Sequence, residues 1–254
     1  MVASAPPPSL YDALAPVYDR WQRSGGMTPF SELVLRKLLP VLGHHTRGPA
    51  RSFVDLGCGT GDLLLRLHRE RPGWRLAGAD GSAGMLAVAR GKPGAARVEW
   101  VQTPLDAPRL PAPVFDAAGS FYDTLNHLPD AAGLRAACRG IAAGLAPGGL
   151  FVFDATNEEG FACWWSSHRV WRGPDWSVAV VTRYDPDQRL GHAETVIDDH
   201  GRRAAGSLTE RCFSDGEVEE ALASAGLDLI SREPWSPFDT DVPGKTWWIS
   251  TKST

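Results

Sequence analysis

A short apolar run, Ser52-Phe53-Val54-Asp55-Leu56, passes straight into Gly57-Cys58-Gly59-Thr60-Gly61 and then into a segment with Leu64, Leu65 and Leu67 turned to one side. No other feature of the chain limits its fold as strongly. Glycines at alternate positions reach backbone angles closed to other residues and let a ligand approach the main chain. The helix that follows offers free N–H groups and the positive end of its dipole, which favours an anionic group. The pattern then repeats. Strands are predicted at 52–56, 74–79, 98–102, 114–121 and 150–154, with helices at 61–70, 82–90 and 131–145. Strands that alternate with helices, each strand a short apolar run, predict an α/β fold with a parallel sheet covered on both faces.

Ahead of this core, residues 9–23 carry Leu10, Leu14 and Val17 at helical spacing. A second helix is predicted from Thr28, as N-cap, through Leu33, Val34, Leu38 and Leu39 to Pro40. Residues 1–45 therefore read as an N-terminal helical cap. Beyond residue 154 the helical period fades, and 176–184, 190–199 and 202–213 read as three antiparallel strands. Turn signals separate them at Asp185-Pro186-Asp187 and His200-Gly201. The earlier rhythm returns at Ser214, which forms a capping box with Glu217 for a helix ending at Gly226, and closing strands are predicted at 227–232 and 245–251. The expected organisation is an α/β domain of residues 46–154 and 214–254, interrupted by an antiparallel insertion at 155–213.

A length of 254 residues suits one large domain with such an insertion. Cys58, Cys138, Cys163 and Cys212 are scattered without zinc-ligand spacing, and His44-His45 reads as loop, so no metal site is expected. A net charge of -4 without a basic tract argues against a nucleic-acid partner. With no signal-like opening and no apolar stretch long enough for a bilayer, a cytoplasmic protein without a membrane partner is expected.

The glycine spacing discriminates among ligands. GxGxG departs from the GxGxxG of dinucleotide folds, and no GK[ST] follows, which disfavours NAD and ATP. Asp80 ends the second strand, where a carboxylate can accept two hydrogen bonds from a ribose diol; the other use of such a residue is to cap a turn.

Asp55 to Gly61, Asp80-Gly81-Ser82, Met85-Leu86 and Leu145-Ala146-Pro147-Gly148-Gly149 together resemble the motifs of class I S-adenosylmethionine-dependent methyltransferases. The resemblance covers most of the chain. It implies a Rossmann-like seven-stranded mixed sheet with its last strand antiparallel. S-adenosylmethionine, leaving as S-adenosylhomocysteine, would lie over the carboxyl ends of the strands against Asp55, Gly57, Cys58, Gly59, Asp80, Gly81, Met85 and Phe121. Tyr11-Asp12, Leu14-Ala15, Tyr18-Asp19 and Asp123 to Leu128, with the inserted strands, are similar to a small-molecule subgroup. That subgroup includes amino-sugar N-methyltransferases and glycine-N-methyltransferase-like enzymes. The likeness implies that the N-terminal helix covers the methionine end of the cofactor and that the insertion roofs the acceptor. Tyr18 then either meets the methionine carboxylate or packs its helix on the core. One position departs from the family pattern: Thr103 stands in the usual acidic slot near adenine, and Pro104 offers no N–H. Adenine contacts would rest on Gln102, Thr103 or the Leu105 amide.

Methyl transfer from a sulfonium is an in-line displacement with a neutral leaving group. The protein must align the acceptor and exclude water, and orientation alone is worth up to roughly 7–11 kcal/mol. Tyr122, Asp123 and His127 follow the fourth strand and are the candidate catalytic residues. His127 suits a general base or a packed loop residue, and Asp123 suits a cationic amine or a tied-down turn. The tryptophans at Trp164-Trp165, Trp171 and Trp176, and at Trp235, Trp247 and Trp248, suit an acceptor pocket, internal packing or a homodimer contact. His192 and Glu194 share one strand face, toward the pocket or toward solvent. The expected function is methylation of N or O on a small molecule. A tRNA or protein substrate, and a non-catalytic S-adenosylmethionine-binding protein, are the alternatives.

Overall fold

The computed structural model describes residues 9–24, 28–44, 51–237 and 242–254. Helix α1 (Leu10–Gln22) begins at a capping box, Ser9 Oγ accepting the Asp12 N–H while Asp12 accepts the Ser9 N–H. Helix α2 (Phe30–His44) differs from expectation at both ends. Its first turn is closed by Leu33 N–H on the Pro29 carbonyl, so Pro29 rather than Thr28 stands at the cap. It also runs four residues past Pro40, because Leu38 and Leu42 are buried on the sheet and that packing outweighs one missing backbone donor. His44 therefore ends a helix, and His45 lies outside the described residues.

The core alternates as expected: β1 (Ser52–Leu56), α3 (Asp62–Glu70), β2 (Arg75–Asp80), α4 (Ala83–Arg90), β3 (Val98–Gln102), β4 (Phe115–Ser120), α5 (Ala131–Gly144) and β5 (Leu145–Thr156). After the insertion come α7 (Asp215–Ser224), β10 (Leu227–Trp235) and β11 (Lys245–Lys252). Seven strands form one mixed sheet in the order β10-β11-β5-β4-β1-β2-β3. β11 runs antiparallel to both neighbours, and the remaining core strands are parallel. β1 is buried at all five positions, which is why its sequence is a continuous run and not an alternating one. Helices α5 and α7 cover one face through Leu134, Ile141, Val218 and Leu222, with Trp248 beneath them. Helices α2 and α3 cover the other through Val34, Leu38, Leu64 and Leu67, with Trp247 beneath. Pro147-Gly148-Gly149 forms an excursion in β5, whose pairing with β4 jumps from Leu145 to Leu150.

The insertion holds α6 (Glu158–Trp164) and a second, four-stranded antiparallel sheet in the order β6-β7-β8-β9: β6 (Ser167–Arg172), β7 (Trp176–Asp185), β8 (Leu190–Asp199) and β9 (Arg202–Arg211). The three expected strands are thus four. β6 is an edge strand exposed at most positions and shows no buried alternation. α6 spans only seven residues, too few for a helical period to emerge. On β8, Gly191, Ala193, Thr195 and Ile197 are buried while His192 and Glu194 face solvent. Helix α1 lies between the two sheets: Leu14 and Val17 share a core with Met85 of α4 and with Trp176, Val178 and Ile197 of the insertion.

Candidate functional site

A cavity of about 530 Å³ opens where the carboxyl ends of β1, β2 and β4 meet α1 and the inner face of the inserted sheet. Its floor is the glycine turn. Gly57 has φ of +76°, and a Cβ there would sit 2.3 Å from Thr124 Cγ2, so both angle and space require glycine. Gly59 has φ of +53°, yet a Cβ there would meet nothing within 4 Å. Its N–H donates to Asp80 Oδ2 at 2.8 Å, and Ser82 N–H donates to Asp80 Oδ1 at 2.8 Å. Asp80 therefore fixes the loop and retains lone pairs toward the cavity, with burial holding its carboxyl above the usual range. Asp55 is 4% exposed, and its Oδ1 has no partner among the described residues. Burial, then Asp80 and Asp154, push its carboxyl well up.

Three side chains of α1 bind the roof to this floor. Asp12 accepts from Ser82 Oγ at 2.6 Å and Gly84 N–H at 2.8 Å. Asp19 accepts from Thr60 Oγ1 at 2.6 Å and pairs with Lys92. Arg20 reaches the other way, to Asp199 and Asp175 of the insertion.

The far wall follows β4. Tyr122 and Asp123 both lie in the left-handed region, with φ of +63° and +57°, a costly conformation for side-chain-bearing residues. A buried ion group holds them there. Asp154 Oδ1 accepts the Tyr122 N–H at 2.7 Å, and Asp154 Oδ2 meets Lys245 Nζ at 2.7 Å. Lys245 also pairs with Asp123 and lies 3.3 Å from Thr156 Oγ1. Burial works against the lysine charge, but Asp123 and Asp154 overcome it and hold the ammonium above its ordinary range. Tyr122 is stacked on Phe30 at 4.4 Å, and its oxygen accepts from the Gln22 amide; burial and Asp123 raise it to about 12.

His127 occupies the centre of this wall. The Asp123 carbonyl, 3.2 Å from Nδ1, can only accept, so Nδ1 carries the proton. Nε2 is then the acceptor for Tyr11 O–H at 2.6 Å. Burial lowers the imidazole pKa and keeps it neutral, while burial and the Glu210 and Asp123 charges hold the Tyr11 phenol well above its usual value. Glu210 of β9 closes the wall, with Oε1 3.6 Å from His127 Nε2.

Most of the expected site residues meet here: Tyr18, Asp55, Gly57, Cys58, Gly59, Asp80, Gly81, Met85, Thr103, Leu105, Phe121, Tyr122, Asp123 and His127 all line the cavity. Gln102 does not; it is exposed, with its amide on the Gly81 carbonyl at 3.1 Å. Thr103 has already given its N–H to the Asp80 carbonyl and accepts the Arg109 N–H on Oγ1. Of the tryptophans, Trp21 and Trp165 reach the cavity, whereas Trp247 and Trp248 are core residues on opposite faces of β11. Tyr11 stood in the sequence only as part of the subgroup motif, without a role, and three further participants escaped it: Asp154, Glu210 and Lys245. Glu210 carried a signal, since period two places it in line with Ala204, Gly206 and Leu208 on the inner face of β9. Lys245 carried none, because its partners come from residues 123 and 154. Among the described residues no cluster of His, Cys, Asp and Glu could hold a metal, and no helix is long and apolar enough to cross a membrane.

Comparison with known proteins gives three kinds of likeness. Residues 53–149 match a family model described as a methyltransferase domain. A curated relative from Geobacillus sp. (strain WCH70), named as a methyltransferase by assignment, is 32% identical over 149 residues. That match covers 57% of this chain and 56% of the relative, so the chain spans little over half the length of that protein. Among solved structures, the sugar N-methyltransferase KedS8 from Streptoalloteichus sp. ATCC 53650 is 26% identical with a TM-score of 0.70, covering 94% of this chain and 93% of that one. The S-adenosylmethionine-bound amino pentose methyltransferase CalS10 from Micromonospora echinaspora is 25% identical with a TM-score of 0.70, covering 93% and 97%. DesVI of Streptomyces venezuelae has the same fold, with a TM-score of 0.76 over 94% of this chain and 98% of that one at 24% identity.

Proposed function

We propose that this chain is a class I S-adenosylmethionine-dependent methyltransferase and that it methylates the nitrogen of a small amine, an amino sugar being the class its fold neighbours favour. The observation that carries the reading is a cavity lined both by the glycine turn and by the Tyr11–His127 pair. The cofactor fits the residues present. Asp55 Oδ1, buried and unpartnered among the described residues, suits the methionine ammonium. Asp80 suits the ribose hydroxyls, and the empty space over Gly59 admits close approach of a ligand. When bound, S-adenosylmethionine supplies an electrophilic methyl group on a sulfonium whose sulfur leaves as a neutral thioether.

The protein's own part is positioning and proton management. Helix α1 and the inserted sheet wall the cavity on the side away from the glycine turn, and the Lys245 ion group fixes the wall that the acceptor meets. An amine attacks only with its lone pair free, so its ammonium form must first give up a proton. His127 is neutral and presents Nε2 to that side, with Tyr11 O–H bridging it to the cavity. These two residues receive the proton in this reading. Asp123 is not free to do so, because Lys245 occupies it. The roofed cavity favours a small acceptor over tRNA or protein. Incubation with S-adenosylmethionine and a panel of amino sugars, read by mass spectrometry and S-adenosylhomocysteine release, tests this. A one-methyl mass gain on an amine nitrogen is expected, and tight cofactor binding without transfer to any amine would overturn it.

A further inference from the structure

The cavity lining contains six carboxylates among its described residues, Asp19, Asp55, Asp62, Asp80, Asp123 and Glu210, but its basic side chains are only Arg23 and His127. Most of these acids are already engaged. Asp19 pairs with Lys92, Asp62 with Arg23 and Arg66, and Asp123 with Lys245. Asp80 pins the glycine turn, and Asp55 lies on the cofactor side. Glu210 is different. It stands on the inserted sheet across from the glycine turn, its side chain is 7% exposed, and its Oε2 has no partner among the described residues. The nearest basic group, His127 Nε2, is 3.6 Å from Oε1 and is already bonded to Tyr11. Around it the roof is apolar or hydroxylic, with Val180, Ala193, Thr195 and Leu208. Lys245 acts on Glu210 from beyond ion-pair distance and is already shared between Asp123 and Asp154, so a carboxylate buried here is costly to keep, and a ligand cation in contact with it would relieve that cost.

We propose that Glu210 is the ammonium-recognising residue of the acceptor site. Its unpaired oxygen accepts an N–H of a protonated primary or secondary amine and so selects amines over alcohols of the same shape. This rests on the reading that the cavity holds the methyl acceptor. Glu210 acts in binding; the ammonium then passes one proton toward Tyr11 and His127, and the freed nitrogen pair forms the new N–C bond as the S–C bond breaks. Selection by charge at this point gives a reason for a buried acid on the otherwise apolar face of β9.

The test is calorimetric binding to the full chain saturated with S-adenosylhomocysteine, which needs no turnover. The probes are 3-amino-3-deoxyglucose, 2-amino-2-deoxyglucose and glucose. The wild type should bind at least one amine about tenfold or more tighter than glucose. Glu210→Gln keeps the shape and should reduce that preference to about twofold or less, with S-adenosylhomocysteine affinity unchanged. Glu210→Asp, which keeps the charge, should restore part of it. A wild type with no preference for either amine, or a Glu210→Gln variant that retains the preference, overturns the proposal. Methylation of amines with unchanged KM in Glu210→Gln would overturn the role of Glu210 and leave methyl transfer standing. Glu210-dependent amine binding with no transfer would do the reverse.

Discussion

Replacing Lys245 with methionine is the sharpest probe of the wall that carries Tyr122, Asp123 and His127. The lysine side chain is 1% exposed and that of Asp154 is 0% exposed. Lys245→Met keeps the apolar stem and removes the charge. Asp154 is then a buried carboxylate with the Tyr122 N–H and the weaker Asp123 N–H as its remaining donors, at 2.7 and 3.4 Å. Breaking one side of a buried pair costs about 3–5 kcal/mol, because the surviving charge is left uncompensated. With a urea m-value of roughly 2–3 kcal/mol/M, about 4 kcal/mol lowers the midpoint by about 1.3–2 M. The assay belongs at neutral pH. A lysine held above its ordinary value contributes fully below 10.5 and loses its contribution only as pH rises through the folded value. Asp154→Asn keeps an acceptor for the Tyr122 N–H, so the double variant Lys245→Met/Asp154→Asn should recover over half of the loss, a coupling of at least about 2 kcal/mol. A loss below about 1 kcal/mol, or strict additivity in the double variant, would show that the group is not the buried electrostatic brace inferred from its geometry.

Gly59→Ala should leave the fold intact at a cost of about 1 kcal/mol, since its Cβ meets no protein atom, and still weaken S-adenosylhomocysteine binding markedly in calorimetry. Gly57→Val should instead destabilise the fold itself, seen as a lowered urea midpoint, because its Cβ meets Thr124. In the ligand-free protein Glu210→Gln should be stabilising. Burial and the Asp123 charge raise the Glu210 carboxyl, so the wild type loses stability as pH climbs from 4.5 through the folded value, while the variant does not. Equal stability below pH 4.5 and a variant advantage of about 1–3 kcal/mol above the folded pKa are expected from paired urea titrations. Asp12 has the opposite sign. Hydrogen bonds from Ser82, Gly84 and Ser9 outweigh its burial and hold it at about 2, so its tie is present above 3.8 and lost as pH falls through about 2. Asp12→Ala should mimic that loss at neutral pH as a severalfold drop in cofactor affinity.

The glycine-turn half of the candidate site was legible because its determinants are local. A strand, a glycine turn and a helix start occupy consecutive residues, so φ and N–H direction follow from order along the chain, and Asp80 sits at the next strand end. The far wall was not, because it is assembled from distant residues. His127 and Asp123 were visible, but whether Asp123 is free depends on Lys245, 122 residues away. Likewise the tautomer of His127 depends on a carbonyl, and its partner Tyr11 lies 116 residues away. The length of α2 was misjudged for a related reason: Pro40 is a local signal, and the burial of Leu42 is a tertiary one.

Helix α1 explains why such a divided site can work as one. It is fixed to the glycine turn through Asp19 and Thr60, to the start of α4 through Asp12, and to the inserted sheet through Arg20. Its apolar side packs Met85 of α4 against Trp176 and Ile197 from the roof. Thr60 Oγ1, on the residue next to the Cys58–Gly59 floor, is thus one hydrogen bond from the helix that carries Tyr11 to His127. A shift of the glycine turn must be passed to that helix or must break the Asp19–Thr60 bond. Thr60→Val removes the bond at similar volume and so separates the two outcomes. If α1 aligns the acceptor wall with the floor, Thr60→Val should lower kcat more than it weakens S-adenosylhomocysteine binding. An equal effect on both would confine α1 to holding the cofactor.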